Sequence, residues 1–203
     1  MSSNRVRYVG GDTRKVAMKP DTSSTQFAIN KGDLLFYYNS ANGVDPRLTN
    51  GCVYPATVLW PAATPALNQL SFARDFAGVA DEKCGLQSGE ITFNLNQMKA
   101  SSISVCTAGR FEFDCPSQTW TPNAGVGIYS SVAGGGVTDS QTVDSLQGSA
   151  TTSQVIGVVA QQEAPIQNTT LNTPQTRVVV DIIVPRPFAT APAAGTYTGT
   201  SGQ

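Results

Sequence analysis

The segment ISVCTAGRFEFDC, residues 103–115, indicates the fold class of this 203-residue chain. Its second half, RFEFDC (110–115), alternates between apolar and charged residues. Such alternation is typical of a half-buried β-strand, because successive side chains of a strand point to opposite faces. We therefore expect Phe111, Phe113 and Cys115 to face a core while the charged residues face water.

The first half of the segment is expected to form a separate strand. Ile103 and Val105 would continue the same core face, and the turn of a hairpin would lie near Ala108–Gly109. In that register Cys106 and Cys115 are poorly placed to form a disulfide. The four cysteines of the chain include no CxxC pair, so we expect buried thiols and no metal site.

Short β-type runs recur on both sides of this segment, and most of them are set off by glycine. Short strands with turn residues between them are typical of an all-β sandwich or barrel. We expect a single all-β domain, barrel- or sandwich-like, over residues 28–185. The other runs are GDLLFYY (32–38), GCVYPATV (51–58), FAGVA (76–80), GVGIYSS (125–131), QVIGVVA (154–160) and RVVVDIIV (177–184).

The segments between the runs hold little regular pattern. Residues 66–75 are the only weak helix candidate, and the polar stretch 133–153, which contains three consecutive glycines, predicts a long loop. Trp60 and Trp120 lie beside prolines in such loops. We expect both indole rings to pack as lids on the core.

Extended arms are expected at both ends of the domain. Residues 1–27 show neither the apolar period of a helix nor that of a strand. They carry an excess of basic side chains together with Tyr8, Val9 and Val16. This pattern is typical either of a disordered end or of an arm that becomes ordered on a partner. Such an arm would add a strand to the partner's sheet or pair with the partner's carboxylates. Their removal is expected to leave the β domain folded. Residues 186–203 form a tail rich in Pro, Ala and Gly.

The final run is apolar on both faces apart from Asp181. Val179 and Ile183 lie opposite the other apolar residues of this run, so a second sheet, a loop or a neighbouring subunit should cover them. Together with the arms, this face supplies our candidate contacts with a partner or a sister subunit. They are Arg5, Arg7, Tyr8, Arg14, Lys15, Val179, Ile183 and Phe188.

The composition narrows the class of partner. Charged residues are 13% of the chain, about half the usual share, and a sparsely charged surface costs little to desolvate. This favours protein–protein contact. A net charge of −1 argues against a nucleic-acid partner. No run approaches the roughly 20 apolar residues of a membrane span, and no secretory signal is evident, so we expect no membrane partner and synthesis in the cytoplasm.

Catalytic patterns are nearly absent. The chain has no histidine, which excludes Ser-His-Asp and Cys-His arrangements, and it has no phosphate-binding GxxxxGK motif. Glu112 and Asp114 share one strand face and could nominally pair with Asp81 or Glu90 for glycoside hydrolysis. Solvent-facing charges on an amphipathic strand are the preferred interpretation. We expect no enzymatic activity and no cofactor.

Nine motifs follow one another along residues 28–182. They are AINKGDLL (28–35), GCVYPAT (51–57), FAGVA (76–80), GE (89–90), VCTAGRFEF (105–113), GVGIY (125–129), GGVT (135–138), VIGVV (155–159) and TRVVVDI (176–182). In this order they resemble the capsid cement, or head decoration, proteins of tailed bacteriophages.

The resemblance implies a compact β-barrel-like protein on the outer surface of the virion, where it bridges neighbouring major capsid proteins. It implies no catalysis and no cofactor. The partners would be the major capsid protein and further copies of the chain, with a trimer expected from capsid symmetry and a dimer as the alternative. The competing hypothesis is a receptor-binding or tail- or fibre-associated β module of a virion.

Overall fold

The structure is a computed structural model, and the residues it describes form strands, one α-helix and short connecting turns. The described ranges are 6–21, 27–42, 45–59, 61–62, 64–84, 102–131, 136–148, 154–160 and 175–184.

Within these ranges the chain forms nine strands that belong to one sheet, together with one α-helix. The all-β class predicted from the sequence is confirmed, and the weak helix candidate at 66–75 is confirmed as α1. The elements are β1 (Arg7–Met18), β2 (Leu34–Tyr37), β3 (Val53–Pro55), α1 (Pro65–Arg74), β4 (Phe76–Ala80), β5 (Ile103–Gln118), β6 (Gly125–Ile128), β7 (Val143–Ser145), β8 (Gly157–Val159) and β9 (Gln175–Ile183).

Strand β5 lies at the centre of the sheet, whose order is β3-β2-β4-β5-β9-β8-β6-β7 with antiparallel pairing throughout. One edge of β5 pairs with β1, and the other pairs with β4 and then with β9. Parallel bridges join Pro20 to Val53 and Asp114 to Thr142. The first bridge joins the residues after β1 to β3, and the second joins β5 to the residue before β7, so each half of the sheet closes on itself.

The predicted hairpin near Ala108–Gly109 is wrong, because β5 continues through these residues as a single strand. Opposite β1, the strand holds one extra residue: Lys15 lies opposite Cys106, and Arg14 lies opposite Ala108. This β-bulge changes the direction of the strand without ending it. Gly109, with a φ of 141°, adopts a conformation that side chains disfavour.

The bulge also changes which side chains share a core. Phe111 and Phe113 belong to the larger apolar cluster, as the alternation predicts. Ile103 and Val105 belong to a second cluster, formed with residues of β2, β3 and β4. The prediction of one continuous core face along 103–115 is therefore wrong, since the extra residue interrupts the alternation.

The predicted boundary between an N-terminal arm and the β domain is also wrong for residues 7–18. These residues form β1, and eight of them are matched to residues of β5. Register shifts between Tyr8 and Gly10, and between Gly10 and Lys15, interrupt the period of two that sequence analysis relies on. Val6 and Met18, at the two ends of β1, are buried in the core.

Loop segments pack closely against the core. Trp120 is buried, as expected, and its indole Nε1 donates to the Cys115 sulfur at 3.4 Å. The prediction of one long loop over residues 133–153 is wrong, because this stretch contains β7. Trp60, Arg5, Phe188 and residues 186–203 lie outside the described residues.

Helix α1 is joined to the sheet by a buried amide. The Gln69 side chain donates from Nε2 to the carbonyls of Ile128 at 3.2 Å and Ser145 at 3.0 Å. Its Oε1 accepts from the backbone N–H of Gln147 at 2.9 Å. Both polar atoms of the Gln69 amide are therefore hydrogen-bonded. These bonds hold the helix against β6 and β7 and satisfy the buried amide.

All four cysteines are buried, as predicted, and no disulfide joins them. Burial raises the pKa of the Cys52, Cys106 and Cys115 thiols. A buried thiol with a raised pKa carries little thiolate, so these cysteines act as small apolar core residues.

Candidate interaction surface

Strand β1 forms an irregular edge of the sheet. It pairs with β5, and most of its side chains are exposed, including Tyr8 and Val9, each with a relative exposure of 49%. An exposed edge strand can accept a further strand from another chain. The register shifts along β1 distort that edge between Tyr8 and Lys15. A long ladder with a partner strand is therefore disfavoured, and side-chain contacts are the better route to binding.

Ion pairs connect the outer faces of β1, β5 and β9. Arg7 Nη2 lies 2.8 Å from Glu112 Oε2, and the same oxygen lies 3.1 Å from Arg177 Nη1. Arg177 Nε lies 3.1 Å from Asp114 Oδ1. Arg110 Nε lies 2.8 Å from Asp181 Oδ1. We call this set the ion-pair ladder; it consists of Arg7, Arg110, Glu112, Asp114, Arg177 and Asp181.

The ion-pair ladder contains equal numbers of cations and anions, so its charges largely neutralise one another. Arg7, a predicted contact for a partner's carboxylate, is instead paired with Glu112 of its own chain. Glu112 and Asp114, the nominal catalytic carboxylates, are both held by Arg177. This arrangement matches solvent-facing charges on an amphipathic strand.

Candidate contact residues from the two ends of the chain meet across β5. Arg7 and Val179 both lie opposite Glu112, one on each side of it. Arg14 and Ile183 likewise both lie opposite Ala108, one on each side of it. The side chain of Ile183 lies outside the described part of the structure.

The two faces of β9 are buried to different extents, although the sequence predicts that both are covered. Val178, Val180 and Ile182 are buried in the core, whereas Val179 lies on the opposite face and is half-buried. In that position Val179 is the apolar residue of β9 that lies within the ion-pair ladder.

The irregular part of β1 is held by its own side chains. The Tyr8 ring packs edge-on against Phe111, with ring centroids 5.7 Å apart. Its hydroxyl donates to the carbonyl of Gly11 at 2.5 Å and accepts from the Thr13 hydroxyl at 3.3 Å. Gly11 has a φ of 83°, which a non-glycine residue adopts at a cost. These contacts fix the conformation of residues 10–13, where β1 departs from regular pairing with β5.

Lys15 is also paired within the chain. Its Nζ lies 2.7 Å from Asp81 Oδ2, and Lys31 Nζ lies 4.0 Å from the other oxygen of the same carboxylate. The hydrogen bond to Asp81 raises the pKa of Lys15. The Asp81 carboxylate therefore lies beside two ammonium groups, and Glu82 is close enough to add an electrostatic attraction on Lys15.

The turn that carries Lys31 is fixed by a buried carboxylate. Asp33 accepts from the backbone N–H of Asn30 at 2.7 Å and from Gln141 Nε2 at 3.0 Å. Burial raises the pKa of Asp33, and the hydrogen bonds from Asn30 and Gln141 oppose that rise. This linkage positions Lys31 beside β4.

Arg14 differs from the other predicted cations. Within the part of the chain that the structure describes, its guanidinium makes no hydrogen bond or ion pair, whereas Arg7 and Lys15 are both engaged. The Thr107 hydroxyl donates to the Arg14 carbonyl at 3.2 Å, which fixes the backbone at that point. Arg14 is therefore the predicted contact whose charge is available to a partner.

A cavity of about 210 Å³ lies beneath the irregular part of β1. Its lining combines apolar side chains with the Lys15–Asp81–Lys31 group at the rim. The sequence did not point to Lys31 or Thr13, and it offered Asp81 only as a nominal partner of Glu112 or Asp114, because these residues are brought together from distant parts of the chain. We call it the β1 cavity; its lining residues are Val6, Tyr8, Thr13, Lys15, Lys31, Gly32, Val79, Ala80, Asp81, Cys106 and Phe111.

The described residues contain no group of three His, Cys, Asp or Glu side chains that could hold a metal ion. They also contain no helix with the length and hydropathy of a membrane span.

Comparison of the chain with protein-family models, with curated proteins and with solved structures found no match.

Proposed function

We propose that this chain is a non-enzymatic capsid decoration protein, which binds the outer surface of an icosahedral phage head and stabilises contacts between major capsid proteins. The observation that supports the proposal is the ordered set of motifs in which the chain resembles that family. Residues 89–90 lie outside the described part of the structure, and seven of the other motifs overlap strands of the one sheet. These seven are residues 28–35, 51–57, 76–80, 105–113, 125–129, 155–159 and 176–182.

The surface chemistry supports binding to other proteins over large areas. The chain has few charged residues, and those of the ion-pair ladder are already matched to one another. Covering such a surface requires little desolvation of unpaired charge. The half-buried Val179 adds apolar contact area at the centre of the same face.

A protein of this kind would stabilise a capsid by mass action. Because it binds the assembled lattice and not the separated subunits, each bound copy adds to the free energy that holds the lattice together. An oligomer, a trimer in our proposal or a dimer as the alternative, would contact several capsid subunits at once and gain avidity. No bond is made or broken in this mechanism.

The alternative function is a receptor-binding or tail-associated module of the virion. The exposed part of β1 could serve either role. Copy number separates the two, because a decoration protein occupies every equivalent lattice site and a tail module occupies few.

Arg14 provides a direct test of how β1 would contact the head. Arg14→Gln should weaken binding to purified undecorated heads by about threefold to fivefold at low salt, the effect of one partly exposed ion pair. The difference from the native chain should shrink as salt rises, since screening reduces the contribution of this charge. Co-sedimentation with heads over a salt series measures both effects.

Lys19→Gln is the matched control, because it removes one exposed positive charge from the residue that follows β1. It should bind heads like the native chain. Equal binding of the Arg14→Gln and native proteins at every salt concentration would exclude Arg14 from the contact.

A further inference from the structure

We propose that the β1 cavity is a binding site for a carboxylate carried on an apolar group, and that Lys31 receives the carboxylate. The proposal concerns the isolated protein and does not depend on the capsid role.

The size and wall of the cavity suit one apolar ring or branched chain. An engineered apolar cavity of about 150 Å³ accommodates benzene, and the β1 cavity is larger, at about 210 Å³. Its wall includes Val6, Val79, Cys106 and Phe111, all of them buried. An apolar group that entered would therefore replace water against apolar side chains.

The rim of the cavity carries two ammonium groups, those of Lys15 and Lys31. Asp81 is the one acidic residue among the described residues that line the cavity, and Glu82 next to it also attracts Lys15. Lys15 is held by Asp81 at 2.7 Å, whereas Lys31 lies 4.0 Å from that carboxylate and its side chain is 60% exposed. Lys31 can therefore turn towards a ligand while the Lys15–Asp81 pair stays intact.

The shape of the cavity is fixed before a ligand arrives. The Tyr8 hydroxyl is hydrogen-bonded to Gly11 and Thr13. These bonds hold the phenol ring in place as one wall of the cavity. The backbone N–H of Gly32 donates to the Ala80 carbonyl at 2.8 Å, which holds the Lys31 turn against β4. A pre-organised site loses less conformational entropy on binding.

The test is a titration of the full chain with benzoate, followed by two-dimensional ¹H–¹⁵N NMR. Saturable shifts are expected for amides that line the cavity, such as those of Gly32, Ala80 and Phe111. Benzamide, which has the same ring without the charge, should bind more weakly, and benzylamine should bind least. Equal responses to the three probes, or no saturable shift with benzoate, would overturn the proposal.

Charge variants separate a carboxylate site from a merely apolar void. Lys31→Gln should weaken benzoate binding by about fivefold, and Lys19→Gln should leave it unchanged. Asp81→Asn should strengthen it, because the variant removes the negative charge from the rim. Since these side chains are partly or largely exposed, preserved amide dispersion in each spectrum checks that the variants remain folded. Benzoate affinities that do not change in Lys31→Gln and Asp81→Asn would contradict the assigned role of Lys31.

Two further probes distinguish the sources of such a carboxylate. N-acetyl-glycyl-phenylalanine presents a chain terminus, and its C-terminal amide is the matched control. Tighter binding of the acid peptide than of benzoate would assign the cavity to the end of a polypeptide, and the reverse order would assign it to a small free acid.

Discussion

Gly78→Ala is expected to destabilise the domain by about 4 kcal/mol or more, which is among the largest effects of a single substitution. Gly78 lies in the middle of β4 with a φ of 133°, and a Cβ atom there would contact Cys106 O and lie 2.9 Å from Val105 Cγ1. Both neighbours belong to β5, the strand shared by the two halves of the sheet. The backbone strain and the clash cannot be relieved by moving one flexible side chain. Urea unfolding followed by circular dichroism measures the loss.

Gly10→Ala is the matched control for this substitution. A Cβ atom at Gly10 meets no other atom within 4 Å, and its φ lies outside the left-handed region. We expect its free energy of unfolding to stay within about 0.5 kcal/mol of the native value. A Gly78→Ala protein as stable as the Gly10→Ala protein would contradict the close packing of β4 on β5.

Deletion of residues 1–18 is expected to prevent the domain from folding. The deletion removes β1, which leaves one edge of β5 without its ladder and exposes the core that Val6 and Met18 cover. Burial of these two side chains alone contributes about 3–6 kcal/mol, which is a large part of the 5–15 kcal/mol that stabilises a typical domain. Loss of amide dispersion and of cooperative unfolding is the expected result.

Deletion of residues 1–5, which precede β1, is the control and should leave the unfolding midpoint unchanged. A chain that lacks residues 1–18 and still unfolds cooperatively at the native midpoint would show that β1 is dispensable. That outcome would restore the interpretation of the N-terminal region as a separable arm.

The sequence predicts the elements whose pattern is local. FAGVA (76–80) forms β4, and the alternation in residues 110–115 correctly places Phe111 and Phe113 in the core. The helix signal at 66–75 is weak because α1 turns polar residues, among them Gln69, towards the sheet. A pattern of apolar residues cannot identify a face that is buried by hydrogen bonding.

The missed features depend on pairing between distant strands. The bulge in β5 is defined by its pairing with β1, and the local sequence of Ala108–Gly109 is the same as that of a turn. The same limit applies to the candidate surface. Arg7 is paired with Glu112, whereas Arg14 has no ion-pair partner among the described residues. This difference follows from the strand register and not from the spacing of charges along the chain.

The β1 cavity illustrates this limit most clearly. Tyr8, Lys31, Asp81 and Cys106 come from four separate segments, and none of these segments carries a recognisable binding motif. Only the fold brings an apolar wall and two ammonium groups to one place. Sites of this kind are found from structure, because their chemistry is distributed over the chain.

Quantitative protein composition of purified virus particles, combined with cryo-electron microscopy, tests the proposed function most directly. A decoration protein should be present in a fixed stoichiometric ratio to the major capsid protein, with density repeated at equivalent positions on the outer surface of the head. A few copies confined to the tail or its fibres, or none on the particle, would contradict the proposal.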